Sequence, residues 1–432
     1  MSERRLTNLR RTHLWGALAL VLVSLACSGG SARATTVGGL ATYGSGPFAL
    51  ASGRLFIPIF LTNNVGEASP APVTEMQTNL QSFVAGRHGA RTLALDASTS
   101  GSGPPALATS EGRLASAWVG SHGFQTALVS ANGAALHALV TVPASGVVGG
   151  YVVAIDSTGA HAVLWLDSLG IRLQAVSPAG VAATPITLMP GKTGFFSLTS
   201  DERGGWWAVW IAGGRVLATD VEAGGTVAPA IDLAEAPVHP AAARMLHTRP
   251  WTAVADGTGG LWVGLPSGLL HVERAGVLAR RSAHKLVLAE GDRRSALAED
   301  FGSAGILVRP VGRSGRSLRL RHVGSLLAIA YDDSRQNTYL LSAVAHGRVQ
   351  LTTLSKRRVA SAVLVRGCPR AGTGELVSGG GLVGVACASR AFEANSVETG
   401  GDFKGGRDIH YYLLRNGRPL HGETFFEGIY SY

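Results

Sequence analysis

The chain has 432 residues, 58 of them glycine, and 38 Lys+Arg against 28 Asp+Glu, for a formal charge of +10. One compact core stops growing at about 250–300 residues, so this length excludes a single simple core and calls for several domains or a repeating architecture. The basic excess is too diffuse to form a nucleic-acid-binding face, and no long helical apolar period occurs.

Residues 1–34 read as a secretory signal. Arg4, Arg5, Arg10 and Arg11 precede the apolar run Leu14–Ala26, and Ala32-Arg33-Ala34 offers a cleavage site. The run is short of the ~20 residues that a membrane span needs. Cys27, after Val23-Ser-Leu-Ala26 and before Ser28-Gly-Gly-Ser31, offers a second reading. The signal then ends at Ala26 and Cys27 is lipidated. A free Thr35 at the mature N-terminus would exclude the lipid. Residues 1–34 hold five arginines and one Glu, so the mature chain carries 33 basic against 27 acidic residues, or +6.

Residues 35–432 form one domain. Residues 60–105 break the rhythm of the rest, and Thr74–Leu93 is expected to hold a short helix. From there a grammar recurs. Thr109-Ser-Glu-Gly112 precedes Leu114-Ala-Ser-Ala-Trp118, and Asp156-Ser-Thr-Gly159 precedes Ala162-Val-Leu-Trp165. Asp201-Glu-Arg-Gly204-Gly205-Trp206-Trp207 and Asp256-Gly-Thr-Gly259-Gly260-Leu261-Trp262 are two copies of Asp-x-x-Gly-Gly-x-Trp, 55 residues apart. The aspartate pins a turn through backbone N–H groups, and glycine accepts positive φ. The aromatic supplies a large apolar surface to the neighbouring unit. Looser copies begin near Gly53, Gly305, Gln336 and Gly380. Units of about 40–50 residues built from short antiparallel strands mark an all-β single propeller. Seven blades are expected, with six or eight as the alternatives. Gly259–Val272 resembles the propeller repeat of two-component-regulator sensor ectodomains. That resemblance implies a propeller and leaves its ligand open.

Trp206 and Trp210 alternate onto one face and Trp207 onto the other, as fillers between blades rather than a sugar-stacking platform. Arg316, Arg319 and Arg321 lie in the densest basic stretch. They read as a solvated edge strand, with a candidate anion patch as the alternative. Asp332-Asp333 is assigned to a turn, Asp333 as the pinning residue, rather than to calcium. His161, His271 and His410 are framework histidines. Cys368 and Cys387, 19 apart, have only each other once Cys27 is cut off or acylated, and read as a disulfide. Ile409–Leu414 and Leu420–Phe426 flank Asn416-Gly417 and form a hairpin. Terminal strands are expected to complete the last blade together.

No catalytic residue, metal ligand or cofactor is assigned. The expectation is an exported, monomeric, non-catalytic binding or scaffold module in the cell envelope or outside the cell. Its partner is an envelope protein or glycan, with no nucleic acid, and it reaches membrane only through a lipid on Cys27. The alternative is a propeller lyase or hydrolase with its site at the central channel. Function is expected where the repeat fails: residues 60–105, the arginine stretch and the Cys368–Cys387 loop.

Overall fold

The computed structural model describes residues 41–45, 48–65, 73–84, 90–98, 105–191, 195–236, 251–265, 268–281, 285–290, 295–310, 317–355, 358–365, 368, 374–388 and 403–430. The leader, Cys27 and Arg316 lie outside them.

The chain folds as a β-propeller of eight blades. Blades 2 to 8 are four-stranded antiparallel sheets made of consecutive strands, and blade 1 has a fifth strand because its first strand is split. The first strands are Ala49–Ala51, Ala106–Ser110, Gly150–Ile155, Phe196–Ser200, Thr252–Ala255, Lys285–Glu290, Ser325–Asp332 and Gly374–Gly379. Each packs beside the first strands of the blades before and after it, and Gly374–Gly379 closes the ring onto Ala49–Ala51. These strands therefore surround the central channel. In an antiparallel meander, first-to-second and third-to-fourth turns emerge on one side, here named the upper rim.

Seven blades are thus corrected to eight. The expected sharing of a terminal blade does not occur. Blade 8 takes all its strands from residues 374–430, and blade 1 takes all of its own from residues 41–98. The helix expected within Thr74–Leu93 is a strand, Val73–Val84. Its apolar residues are not spaced in alternation because both faces are covered. Leu80 packs with blade 2 residues such as Leu114, and Phe83 packs with blade 8 residues such as Tyr411. A strand buried on both sides loses the period-2 signature.

The core is divided among the interfaces. Eight apolar clusters of described residues exist, one between each pair of adjacent blades. Trp206 and Trp210 pack toward blade 3 with Leu164 and Leu173. Trp207 packs toward blade 5 with Trp251, Leu261 and Val263. The three tryptophans are filler, as their alternation indicates.

The Asp-x-x-Gly-Gly-x-Trp repeat is the first-to-second turn of blades 4 and 5. Asp201 Oδ1 accepts from the Arg203 and Gly205 N–H groups, both at 2.7 Å. Asp256 Oδ1 accepts from Thr258 N–H at 2.6 Å and Gly260 N–H at 2.8 Å. The two glycines have different causes. Gly204 and Gly259 hold φ of +88° and +96°. Gly205 and Gly260 are held by close approach: a Cβ there would lie 2.6 and 2.4 Å from the motif aspartate's own Oδ2. The tryptophan closes the logic, because Trp207 Nε1 donates to the carbonyl of Gly259 in the next copy at 3.1 Å. The first copy thus braces the second.

Gly305, read as an anchor of the same kind, sits one turn later, between the second and third strands of blade 6. In blade 7 the pinning residue is Asp332 rather than Asp333. Asp332 Oδ1 accepts from Ser334 Oγ at 2.6 Å and from Arg335 N–H at 3.3 Å. Asp332 Oδ2 accepts from Gly381 N–H of blade 8 at 2.7 Å.

Cys368 and Cys387 form a disulfide with Cα atoms 5.8 Å apart. It ties the crossover from blade 7 to the second strand of blade 8, within the cluster those blades share. Closing a loop of 19 residues contributes about 3 kcal/mol in the chain-entropy model. Among the described residues no helix is long and apolar enough to cross a membrane. The terminal hairpin is Phe403–Arg415 and Arg418–Tyr430, turned by Asn416 (φ 50°) and Gly417 (φ 74°). Two successive positive φ values are what a two-residue hairpin loop requires.

Candidate functional site

Two cavities open on the upper rim, and both are built from the repeat's own turns. The first is the mouth of the channel, about 280 Å³. First strands end there. Blade 2 contributes Thr109 and Ser110, blade 4 contributes Ser200 and Glu202, blade 7 contributes Asp332, Asp333 and Ser334, and blade 8 contributes Ser378. Blade 3 adds only Val153–Ile155. Hydroxyls and carboxylates thus gather at the mouth, and among the described residues no Lys or Arg joins the lining. Ser110 is 5 % exposed, and among the described residues its Oγ has no hydrogen-bond partner. Ser378 Oγ is likewise buried without a partner.

The second cavity, about 590 Å³, lies where four turns of blades 4 and 5 meet. The first-to-second turns supply Asp201, Arg203, Gly205 and Thr258–Gly260. The third-to-fourth turns supply Asp220, Glu222, Glu273 and Arg274. Arg274 of blade 5 reaches across to blade 4. Its Nε donates to Asp220 Oδ2 at 2.8 Å, its Nη2 donates to the same oxygen, and its Nη1 donates to Glu222. Burial pushes the Asp220 carboxyl up, and neighbouring Asp201 and Glu222 add to this against the pull of Arg274. In blade 5 the position equivalent to Asp220 is His271. Its Nε2 lies 2.9 Å from Asp256 Oδ2, and its ring stacks on Trp262 at 4.2 Å.

His161 is fully buried in blade 3, with its pKa lowered from 6.5 to about 4. Burial is the cause, and it outweighs the Gly159 backbone and Asp156, which pull upward. An unfolded chain binds this proton below pH 6.5, whereas the folded chain binds it only near pH 4. Stability is therefore complete above pH 6.5 and falls by about 3 kcal/mol as the pH drops to 4. His161→Leu copies blade 5, where Leu261 holds the equivalent place. Urea midpoints measured against pH should fall less steeply for the variant between pH 6.5 and 4. Equal slopes would contradict the assignment.

Most of the residues singled out in the sequence lie away from both cavities. Arg319 is exposed on Leu318–Leu320, the outermost strand of blade 6, with its guanidinium 5.1 Å from the Phe301 ring centroid. Arg321 follows that strand, exposed. Leu320 faces inward at 5 % exposure. Cys368 and Cys387 pair in the blade 7–8 interface. His410 faces Cys387 across the strand register of blade 8. Among the described residues no group of three His, Cys, Asp or Glu could hold a metal ion. Sequence reasoning passed over Ser110, Glu202, Asp220, Arg274 and Ser378. The available signal was positional: each lies in or beside a turn at the same rim.

No protein-family profile matches the chain, and no curated protein does. Solved propeller-like structures are similar in outline. Apo AztD from Citrobacter koseri aligns at TM-score 0.45 and 10 % identity, over 91 % of this chain and 99 % of that one. Dihydro-heme d1 dehydrogenase NirN, solved in complex with DHE, aligns at TM-score 0.45 and 11 % identity, over 89 % and 74 %. Hydrazine synthase from Kuenenia stuttgartiensis aligns at TM-score 0.40 and 12 % identity, over 70 % and 95 %. At these values the alignments carry no argument about what the chain binds or does.

Proposed function

We propose that this eight-bladed propeller is exported and works as a non-catalytic binding or scaffold module, in the cell envelope or outside the cell. Its partner, an envelope protein or glycan, seats at the channel mouth. Polar groups from blades 2, 4, 7 and 8 converge on one mouth, as a binding face or an enzyme site would each require, and the observation that carries the non-catalytic reading is the state of the buried acid there. The buried acid among them, Asp332, is already occupied by three donors that hold turns in shape. A carboxylate spent in this way pins turns and shapes the surface of the mouth. Rim loops on a rigid ring vary without disturbing the core, which suits recognition. The Cys368–Cys387 disulfide supports export, since such bonds persist in oxidising compartments. The module acts as a monomer, and a lipid on Cys27 would anchor it to a membrane.

The test is capture from envelope extract on the immobilised mature protein, beside a Glu202→Gln/Asp333→Asn variant. Retention by the wild type and at least about tenfold weaker retention by the variant is the expected result. Equal retention by both would remove the mouth as the binding face. Chemical conversion of the captured partner would replace binding by catalysis.

A further inference from the structure

We propose that the cleft between blades 4 and 5 is a second binding site, separate from the channel mouth, and that its ligand is a basic amino acid. The cleft measures about 590 Å³, within the roughly 300–1,000 Å³ usual for small-molecule sites. Its charges are unevenly satisfied. Arg274 is held by Asp220 and Glu222. Asp201 spends Oδ1 on its own turn. Asp220 is 4 % exposed, and among the described residues its Oδ1 accepts no hydrogen bond. A buried carboxylate oxygen without a donor is costly unless a ligand supplies one. Arg203 and Glu273 are exposed on the cleft walls, and among the described residues neither side chain makes an ion pair or hydrogen bond.

The chemistry that answers these groups together is specific. Four carboxylates (Asp201, Asp220, Glu222, Glu273) against two guanidinium groups (Arg203, Arg274) leave two negative charges. A simple dication would neutralise them but would leave Arg203 without an anion. A simple zwitterion would meet Arg203 and Asp220 but would leave Glu273 alone. A basic amino acid carries one carboxylate and two cations, a net +1 that leaves the cleft at −1, and it offers a partner to Arg203, Asp220 and Glu273 together. Its carboxylate pairs with Arg203, its α-ammonium approaches Asp220, and its side-chain cation reaches Glu273. Charge-assisted hydrogen bonds of this kind are the stronger class. The four turns that bring these residues together are held by Trp207 on the Gly259 carbonyl and by Arg274 across the interface. The cleft is therefore formed before any ligand arrives.

Isothermal titration of the mature protein at low salt tests this, with L-lysine, cadaverine (no carboxylate) and L-norleucine (no side-chain amine). L-lysine should bind with Kd of about 1 mM or tighter, and each analogue about tenfold or more weaker. Arg203→Gln should weaken L-lysine and L-norleucine but leave cadaverine unchanged. Glu273→Gln should weaken L-lysine and cadaverine but leave L-norleucine unchanged. Both residues are exposed, so neither change should disturb folding, and unchanged melting temperatures confirm that. Glu202→Gln at the channel mouth should leave L-lysine binding intact. Absence of L-lysine binding up to ~10 mM, or binding that both cleft variants leave unaltered, would overturn the proposal. Loss of binding in Glu202→Gln would overturn it too, by moving the ligand to the mouth.

Discussion

Removing residues 405–432 should abolish cooperative folding. The segment carries the two outer strands of blade 8. Ile409, Tyr411 and Leu413 belong to the cluster between blades 8 and 1, and Leu414 to the one between blades 7 and 8. Their burial alone contributes about 6–12 kcal/mol, at about 1.5–3 kcal/mol for each large apolar side chain. Whole domains are stable by only about 5–15 kcal/mol. The ring has no shared terminal blade to fall back on, because blade 1 pairs only with itself. Phe48 would lose the Tyr411 ring, now 5.5 Å away edge-to-face. The truncated protein should be insoluble or melt without a transition by differential scanning calorimetry. A melting curve like that of the full chain would contradict ring closure between blades 8 and 1.

Trp207→Ala should be among the most damaging single substitutions, costing about 3–5 kcal/mol. The indole is fully buried between blades 4 and 5. Two losses combine. The cavity cannot be refilled by neighbours on two rigid sheets, and the Gly259 carbonyl loses its donor at 3.1 Å. Trp207→Phe separates them, since it keeps most of the volume and gives up the hydrogen bond, for a loss nearer 1 kcal/mol. Urea unfolding of the three proteins should rank wild type, Phe, Ala. An alanine variant as stable as the phenylalanine variant would mean that Trp207 is not a buried filler.

The repeat was legible because each of its residues has a local cause. Asp201 and Asp256 pin turns, Gly204 and Gly259 take positive φ, and Trp207 carries the packing. Blade number was harder to read. Residues 41–98 form a whole blade in which Ser52-Gly53 replaces the aspartate turn. Its strand Val73–Val84 spaces apolar residues in a helix-like way, because Leu80 and Phe83 serve opposite interfaces. Local sequence cannot separate a two-sided strand from a helix face.

The cavities were illegible for a different reason. Ser110, Glu202 and Ser378 are 92 and 176 residues apart in sequence, and only ring closure brings them to one mouth. Both cavities lie at turns of the repeat, whereas function was expected where the repeat fails. Turn residues that fix the blades also form the rim, so one set of side chains carries both the architecture and the candidate sites. Arg274 illustrates the point: it locks blade 5 to blade 4 and, in doing so, walls the cleft.

Amide hydrogen exchange of the mature protein, alone and with the partner captured from envelope extract, tests the binding face most directly. Added protection is expected at residues 109–111, 199–202, 331–334 and 378–380, the turns that line the channel mouth. Protection confined to the opposite rim, at turns such as 121–122, 168–169 and 213–214, would contradict a binding face at the channel mouth.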